Sequence, residues 1–307
     1  PGQRMNDWRL YKNVQPVYDA WELDRGWETR CMEGCFTTEV TVESSGPACA
    51  ALRIVRSFGD SHAEQSLRLF AGSRRIDFVT KVDWQERHRM LKVHFQSDIL
   101  AEEAVHEIQF GYVRRPAHRS TPYASDRYEV CNHRYSALCE DNRGFAVLND
   151  GSYGVSANRG ELALTLLRAP LVPDDTNNRG EHTLTYALYV FNTSLAQSDT
   201  VRQGYALNVP LVVEHGHCPQ RVTGFRTQGT GVILESVKVP EDGRGIILRL
   251  YESQHVQEDA CLELPFPATL VECGMDESGT ETMGHGDSFQ LRFAPFQVRT
   301  FRVLPQE

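Results

Sequence analysis

No apolar run in this 307-residue sequence approaches the roughly 20 residues needed to cross a bilayer, and its first residues, Pro1 to Arg4, carry no apolar signal segment. The expectation is a soluble, cytoplasmic protein. Basic charge is also scarce. Lys and Arg number 32 against 41 Asp and Glu, a net charge of −9, the wrong sign for the phosphate-neutralising surface that nucleic acids require. Neither nucleic acid nor a membrane is therefore an expected partner. The eight cysteines (Cys31, Cys35, Cys49, Cys131, Cys139, Cys218, Cys261 and Cys273) include no CxxC pair and no dense framework. Most read as buried free thiols, with a bridge between near neighbours such as Cys31 and Cys35 as the alternative.

The usual catalytic signatures are missing as well. There is no HExxH, no GxSxG elbow, no P-loop and no dinucleotide fingerprint. Among 11 histidines, His215 and His217 share one side of an extended segment and His88 and His94 flank a strand, but neither spacing converges on a metal. They read as surface or loop histidines, and no cofactor is expected in this chain. Asp19, Glu22 and Asp24 lie beside Trp21 and Trp27. Acids next to aromatic faces suit a sugar, whereas the simpler reading is a solvated strand whose tryptophans pack inward.

What the sequence does have is alternation with a period of two, the mark of strands with one buried face. Ile76, Phe78, Thr80, Val82 and Trp84 share one side, and similar runs centre on Val93, Phe110, Leu164, Tyr186, Leu248 and Leu291. At least ten strands are implied, separated by Gly, Pro, Asn and Asp punctuation. The one persuasive helical stretch is Thr193 to Tyr205, with Leu195, Val201 and Tyr205 on a common face. With 40% hydrophobic residues the chain can build a core, and its length suits two units. A change of character near residue 207 sets the boundary. A large sandwich over 1–207 precedes a smaller one over 208–307, with strands near 221–239, 245–252, 259–272 and 288–303.

Three segments carry a resemblance: Glu107–His118 (EIQFGYVRRPAH), Arg127–Arg134 (RYEVCNHR) and Gly144–Gly154 (GFAVLNDGSYG). Together with Tyr18–Trp21, His88–Val93, Leu164–Pro170, Gly180–Leu188 and Leu248–Ser253, they occur in an order that resembles the cytosolic and bacterial type of glycoside hydrolase family 38 α-mannosidase. The stretches Tyr135–Leu138 and Ser120–Ala124 depart from the family wording. The resemblance implies an all-β chain, a large mutarotase-like β-sandwich followed by a smaller C-terminal β-sandwich. It implies a retaining enzyme acting on α-mannoside oligosaccharides, whose zinc and catalytic carboxylate belong to an N-terminal catalytic domain that is not in this chain. No catalytic or metal-binding residue is carried over, and the chain alone is expected to be inactive.

In such enzymes the sandwich loops can close one wall of the substrate cleft. The contributors implied are Arg114, Arg115, His118, Arg127, Glu129, His133 and Arg134, whose forks and donors suit sugar hydroxyls, with Tyr112, Tyr123 and Tyr128 as stacking faces. The plainer reading is local ion pairing, for example Arg127 with Glu129. Partners implied are the catalytic domain, an α-mannoside and a second copy in a homo-oligomer. The rival reading is a free-standing carbohydrate-binding or mutarotase-like domain, with His133 and Glu129 as acid and base.

Overall fold

The strand Arg75–Trp84 shows how this sequence becomes a sandwich. In the computed structural model, which describes residues 4–15, 17–176, 178–217, 224–279 and 281–306, Phe78, Val82 and Trp84 point from one face of that strand into a single core, as their alternation requires. Strand content is 54% and helix content 7%, so the molecule is all-β. It divides into two units, Pro1–Glu107 with Val113–Leu211, and Ile108–Tyr112 with Val212–Glu307.

The first unit packs two antiparallel sheets face to face. One has six strands in the spatial order Val130–Cys131, Gly154–Asn158, Glu161–Arg168, Arg89–Gln96, Asp7–Lys12 and Cys31–Met32. The other has nine: Thr37–Ser45, Cys49–Phe58, Ser61–Phe70, Arg75–Trp84, Gly180–Phe191, Gly144–Asn149, Tyr135–Cys139, Glu103–Ile108 and Gly111–Pro116. Trp8, Leu91, Val93, Phe95, Leu162 and Leu164 of the smaller sheet meet Phe58, Phe78, Trp84, Phe145 and Leu188 of the larger. The Tyr186 hydroxyl crosses this core without being left unpaired: it accepts from Trp8 Nε1 at 2.9 Å and Gln65 Nε2 at 2.8 Å and donates to Asn6 Oδ1 at 2.6 Å.

Nine strands outreach six. Pairing places Val40 opposite Ile54, Val42 opposite Leu52, Leu52 opposite Leu67 and Leu67 opposite Phe78, so these side chains share the core-facing side. At the outer corner, however, Val40, Val42, Leu52 and Leu69 remain exposed, and every residue of the edge strand Thr37–Ser45 is open to solvent.

The second unit is one antiparallel sheet in the order Arg226–Gln228, Glu258–Cys273, Val298–Pro305, Ile246–Glu252, Val232–Lys238, with Glu281–Phe293 also paired to Glu258–Cys273. Phe289, Phe293, Phe301, Leu248, Leu250, Leu262 and Leu270 fill its core. The ladder of its longest strand breaks between Glu263 and Ala268, where Pro265 and Pro267 have no amide hydrogen to donate.

The expected run over 288–303 is two strands. Pro295 interrupts donation, Phe296 takes a left-handed backbone at φ 56°, and the amide of Gln297 closes a turn onto the carbonyl of Ala294 at 3.0 Å. The run expected over 221–239 likewise splits into Arg226–Gln228 and Val232–Lys238, while Arg221 to Thr223 lie outside the described residues. The helical stretch begins as a short 3-10 turn, Leu195–Gln197, and becomes an α-helix only over Thr200–Asn208. No described cysteine is fully buried, and those with a described state, Cys31 and Cys35 among them, are free. The physical reason is position: Cys49, Cys131, Cys139 and Cys273 sit at strand ends, where the core no longer covers them. Cys218 lies outside the described residues. Among the described residues no helix is long and apolar enough to cross a membrane.

Candidate functional site

The side of the six-stranded sheet that faces away from the core is polar. In an antiparallel ladder directly paired residues project to the same side. Arg9 opposes Lys92 and Lys92 opposes Thr165, while Asp7 opposes His94. Leu91, Val93 and Phe95 take the core side, so the alternation in Met90-Leu-Lys-Val-His-Phe95 leaves Met90, Lys92 and His94 on the other. Two irregular segments cover this face. The Trp27 ring meets Tyr11 edge-on at 4.8 Å between centroids and packs with Met90, and the Tyr128 hydroxyl donates to the carbonyl of Leu23 at 2.8 Å.

Lys92 is the centre of the arrangement. Its side chain is fully buried, and Nζ donates to Glu129 Oε1 at 2.8 Å, Glu129 Oε2 at 2.7 Å and Thr165 Oγ1 at 2.8 Å. All three ammonium protons are thereby used. The ammonium also stands 4.6 Å from the centre of the Trp27 ring. Burial pushes the Lys92 pKa below the ordinary lysine value, against the neighbouring Glu129 charge, which favours the ammonium.

Glu129 lines a pocket of about 710 Å3 together with Trp21, Glu22, Tyr128, Cys131, Gly154, Thr165 and Arg168. Trp21 is 70% exposed, unlike Trp27. The expected solvated strand around them is instead an irregular segment ending in a short 3-10 turn, so only one of the two tryptophans packs inward. Asp19, by contrast, is buried, and its Oδ2 accepts from the amide of Leu171 at 2.6 Å. Arg168 donates through one terminal nitrogen to the carbonyls of Asp19 at 3.0 Å and Glu22 at 2.7 Å, and its buried Nε has no partner.

Gly154 keeps the pocket floor open, because a Cβ there would come within 2.9 Å of Glu129 Oε1 and 3.3 Å of Thr165. Gly154→Ala is expected to displace Glu129 and cost about 1–3 kcal/mol. Urea denaturation checks it, and unchanged stability would show that the floor yields freely.

Next to this pocket lies a second polar row. The Tyr11 hydroxyl is 3.0 Å from His94 Nε2, and His94 Nδ1 is 3.0 Å from Glu161 Oε1. Arg9 reaches both Asp7 and Glu161. His94 is buried and lies inside the strand Arg89–Gln96. It is therefore neither a flanking nor a surface histidine, because its position in the alternation turns it under the covering segments. His215 and His217 are exposed. Among the described residues no three His, Cys, Asp or Glu side chains gather as a metal-ligand set.

The seven residues implied by the resemblance do not form a single group. Of the seven, Glu129 alone lines the pocket that Trp21 also lines. Arg114 and His118 line a different pocket of about 530 Å3, with Glu102, Glu103, Glu140 and Asp141. Arg134 grips the buried Glu107 through Nη2 at 2.9 Å and Nε at 3.0 Å, with its guanidinium 3.7 Å from the Tyr205 ring centre. The amide of His133 donates to the Glu107 carbonyl at 2.9 Å, and its ring lies 5.5 Å from that of Tyr153. Arg127 stacks on Tyr123 at 3.5 Å, so it does not pair with Glu129, which belongs to Lys92. Arg115 contributes its charge to His106. Lys92, Thr165 and Arg168 were not candidates on sequence grounds. The available signal was a lysine at the centre of an otherwise apolar, alternating strand.

Residues 1–176 match the family description "Glycosyl hydrolases family 38 C-terminal domain", and residues 231–301 match "Glycosyl hydrolases family 38 C-terminal beta sandwich domain". The chain is 33% identical over 314 residues to Alpha-mannosidase 2C1 of Homo sapiens, covering 98% of this chain and 30% of that protein. It is 33% identical over 260 residues to Alpha-mannosidase G of Dictyostelium discoideum, covering 80% of this chain and 24% of that protein. In fold it resembles the crystal structure of an alpha-mannosidase from Enterococcus faecalis, with a TM-score of 0.77 at 16% identity over 97% of this chain and 38% of that one. The chain thus spans about a third or less of the curated relatives it matches, and it belongs to glycosyl hydrolase family 38, in the C-terminal β region of that family.

Proposed function

We propose that this chain serves as the C-terminal β part of a retaining, zinc-dependent, cytosolic α-mannosidase that releases terminal α-mannose from oligosaccharides. On this reading it supports an N-terminal catalytic domain and contributes to the wall of the substrate cleft. The observation that carries the reading is coverage: the match to a protein named as an α-mannosidase extends over 98% of this chain but only 30% of that relative. The described residues do not fit a zinc site, since no ligand set gathers among them, and no catalytic step is assigned to them. Retention requires an acid and a nucleophilic carboxylate about 5–5.5 Å apart across the anomeric carbon. Glu129, the best-placed carboxylate in a pocket, has both oxygens on Lys92.

The test compares this chain alone with the same chain joined to the upstream part of its protein, on an aryl α-mannoside. The joined protein is expected to turn the substrate over and lose activity to a chelator, while the chain alone is inert. Turnover by the chain alone, abolished by substituting one of its own carboxylates, would overturn the reading.

A further inference from the structure

We propose that the pocket beneath Trp21 binds one neutral pyranose ring, with the indole as stacking platform and Arg168 and Glu129 as hydrogen-bonding groups. The identity of the sugar, mannose, rests on the function proposed above; the existence of the site does not.

Four observations converge. The first is the indole itself. Of the four tryptophans, Trp8, Trp27 and Trp84 are buried and Trp21 alone is exposed. A large aromatic held at a pocket rim, with its apolar face in water, is the group that a partner of similar shape would cover. The second is charge. Around the pocket Glu22, Asp126 and Glu129 are set against Lys92, Arg25 and Arg168. Lys92 holds Glu129 at 2.7 Å and Arg25 holds Asp126 at 3.0 Å, while Arg168 rests on two backbone carbonyls. With only Arg168 among the lining cations and Asp19 beside it, carboxylates outnumber cations, so the pocket offers little to an anion, and two of its carboxylates are already engaged by Lys92 and Arg25.

The third observation is the mixture of polar groups. Arg168 supplies guanidinium donors, and Glu129 and Glu22 supply acceptors. A sugar hydroxyl both donates and accepts, so a polyol ring satisfies both kinds at once, which an apolar ligand or a simple ion does not. The fourth is preorganisation. Glu129 is fixed by Lys92 and Thr165, Arg168 by the carbonyls of Asp19 and Glu22, and Gly154 leaves the floor clear, so little ordering remains for the ligand to impose. At about 710 Å3 the pocket is in the range of small-molecule sites.

The single exposed tryptophan makes the test direct. Methyl α-mannopyranoside added to this chain is expected to shift the tryptophan emission to the blue and to protect it from acrylamide quenching, with glycerol at equal molarity giving neither change. In calorimetric titration, Trp21→Ala is expected to abolish the binding heat, and Arg168→Met to weaken affinity about ten-fold or more. Because Trp21 lies outside the core, Trp21→Ala should keep the wild-type circular dichroism even if Arg168→Met does not. Absence of quenching protection, equal protection by glycerol, or unchanged affinity in a folded Trp21→Ala would each overturn the proposal. Binding here together with an inactive joined enzyme would overturn only the proposed function, and hydrolysis by the joined enzyme without binding here would overturn only this site.

Discussion

Replacing Lys92 with alanine is expected to destabilise the larger unit by about 3–5 kcal/mol, because it strips from a largely buried carboxylate its one salt-bridge partner among the described residues. Glu129 would keep its hydrogen bond from Thr165 but face the low-dielectric interior with an uncompensated charge. The Trp27 ring would also lose the cation beside it. The conjoint change Lys92→Met with Glu129→Leu removes both charges together and is expected to cost much less, since buried pairs replaced by apolar groups of similar volume are often near neutral. Urea midpoints for the two single variants and the double variant give the coupling directly. If Lys92→Ala and the double variant lose equal stability, the ion pair is not what holds this face together.

Lowering the pH should produce an effect of comparable size through His106. Its ring is buried in the nine-stranded sheet, with Nδ1 2.8 Å from the Ser136 hydroxyl and Nε2 unpartnered. Burial first, and the nearby Arg115 charge second, pull its pKa down to about 3. The ordinary value of about 6.5 applies in the unfolded chain. Above pH 6.5 both states hold the neutral ring and the residue adds no pH dependence. Below it the unfolded chain takes up a proton that the folded chain refuses, so stability falls by about 1.4 kcal/mol per pH unit down to about pH 3. His94, also depressed by burial though partly restored by Glu161, acts in the same direction. Subtracting the stability profile of His106→Gln from that of the wild type should isolate a loss of about 2–3 kcal/mol between pH 6.5 and 4.5. Parallel profiles would show that the ring is protonated in the folded state.

The strands were legible because alternation is a local property. Phe78, Val82 and Trp84 declared one face within a single stretch of sequence, and the structure buries that face. The breaks were less legible. A left-handed backbone at Phe296, or paired prolines at 265 and 267 bending a long strand, change direction without changing hydrophobicity. The pocket was the least legible, since its parts meet only through tertiary pairing. Lys92 and Glu129 lie 37 residues apart, and Lys92 and Thr165 lie 73 apart. Glu129 was singled out with six neighbours in sequence, yet ladder register, not proximity along the chain, decides which residues share a face. Trp21 and Trp27 looked alike on paper; only the packing of Trp27 on Tyr11 and Met90 separates them.

The outer edge of the nine-stranded sheet has a consequence for how this molecule behaves in concentrated solution. Thr37–Ser45 offers unpaired backbone groups beside an apolar margin of Val40, Val42, Leu52 and Leu69, the combination from which edge-to-edge stacking starts. Its guard is electrostatic. Two copies of this strand laid antiparallel about Thr41 would bring Glu39 of each toward Glu43 of the other, and the ladder already shifts register between Val42 and Ser44, so the most symmetrical junction is both repulsive and irregular. That guard weakens as carboxylates are protonated or screened by salt. Acid and high ionic strength are therefore the conditions that remove the barrier to ribbon-like self-assembly.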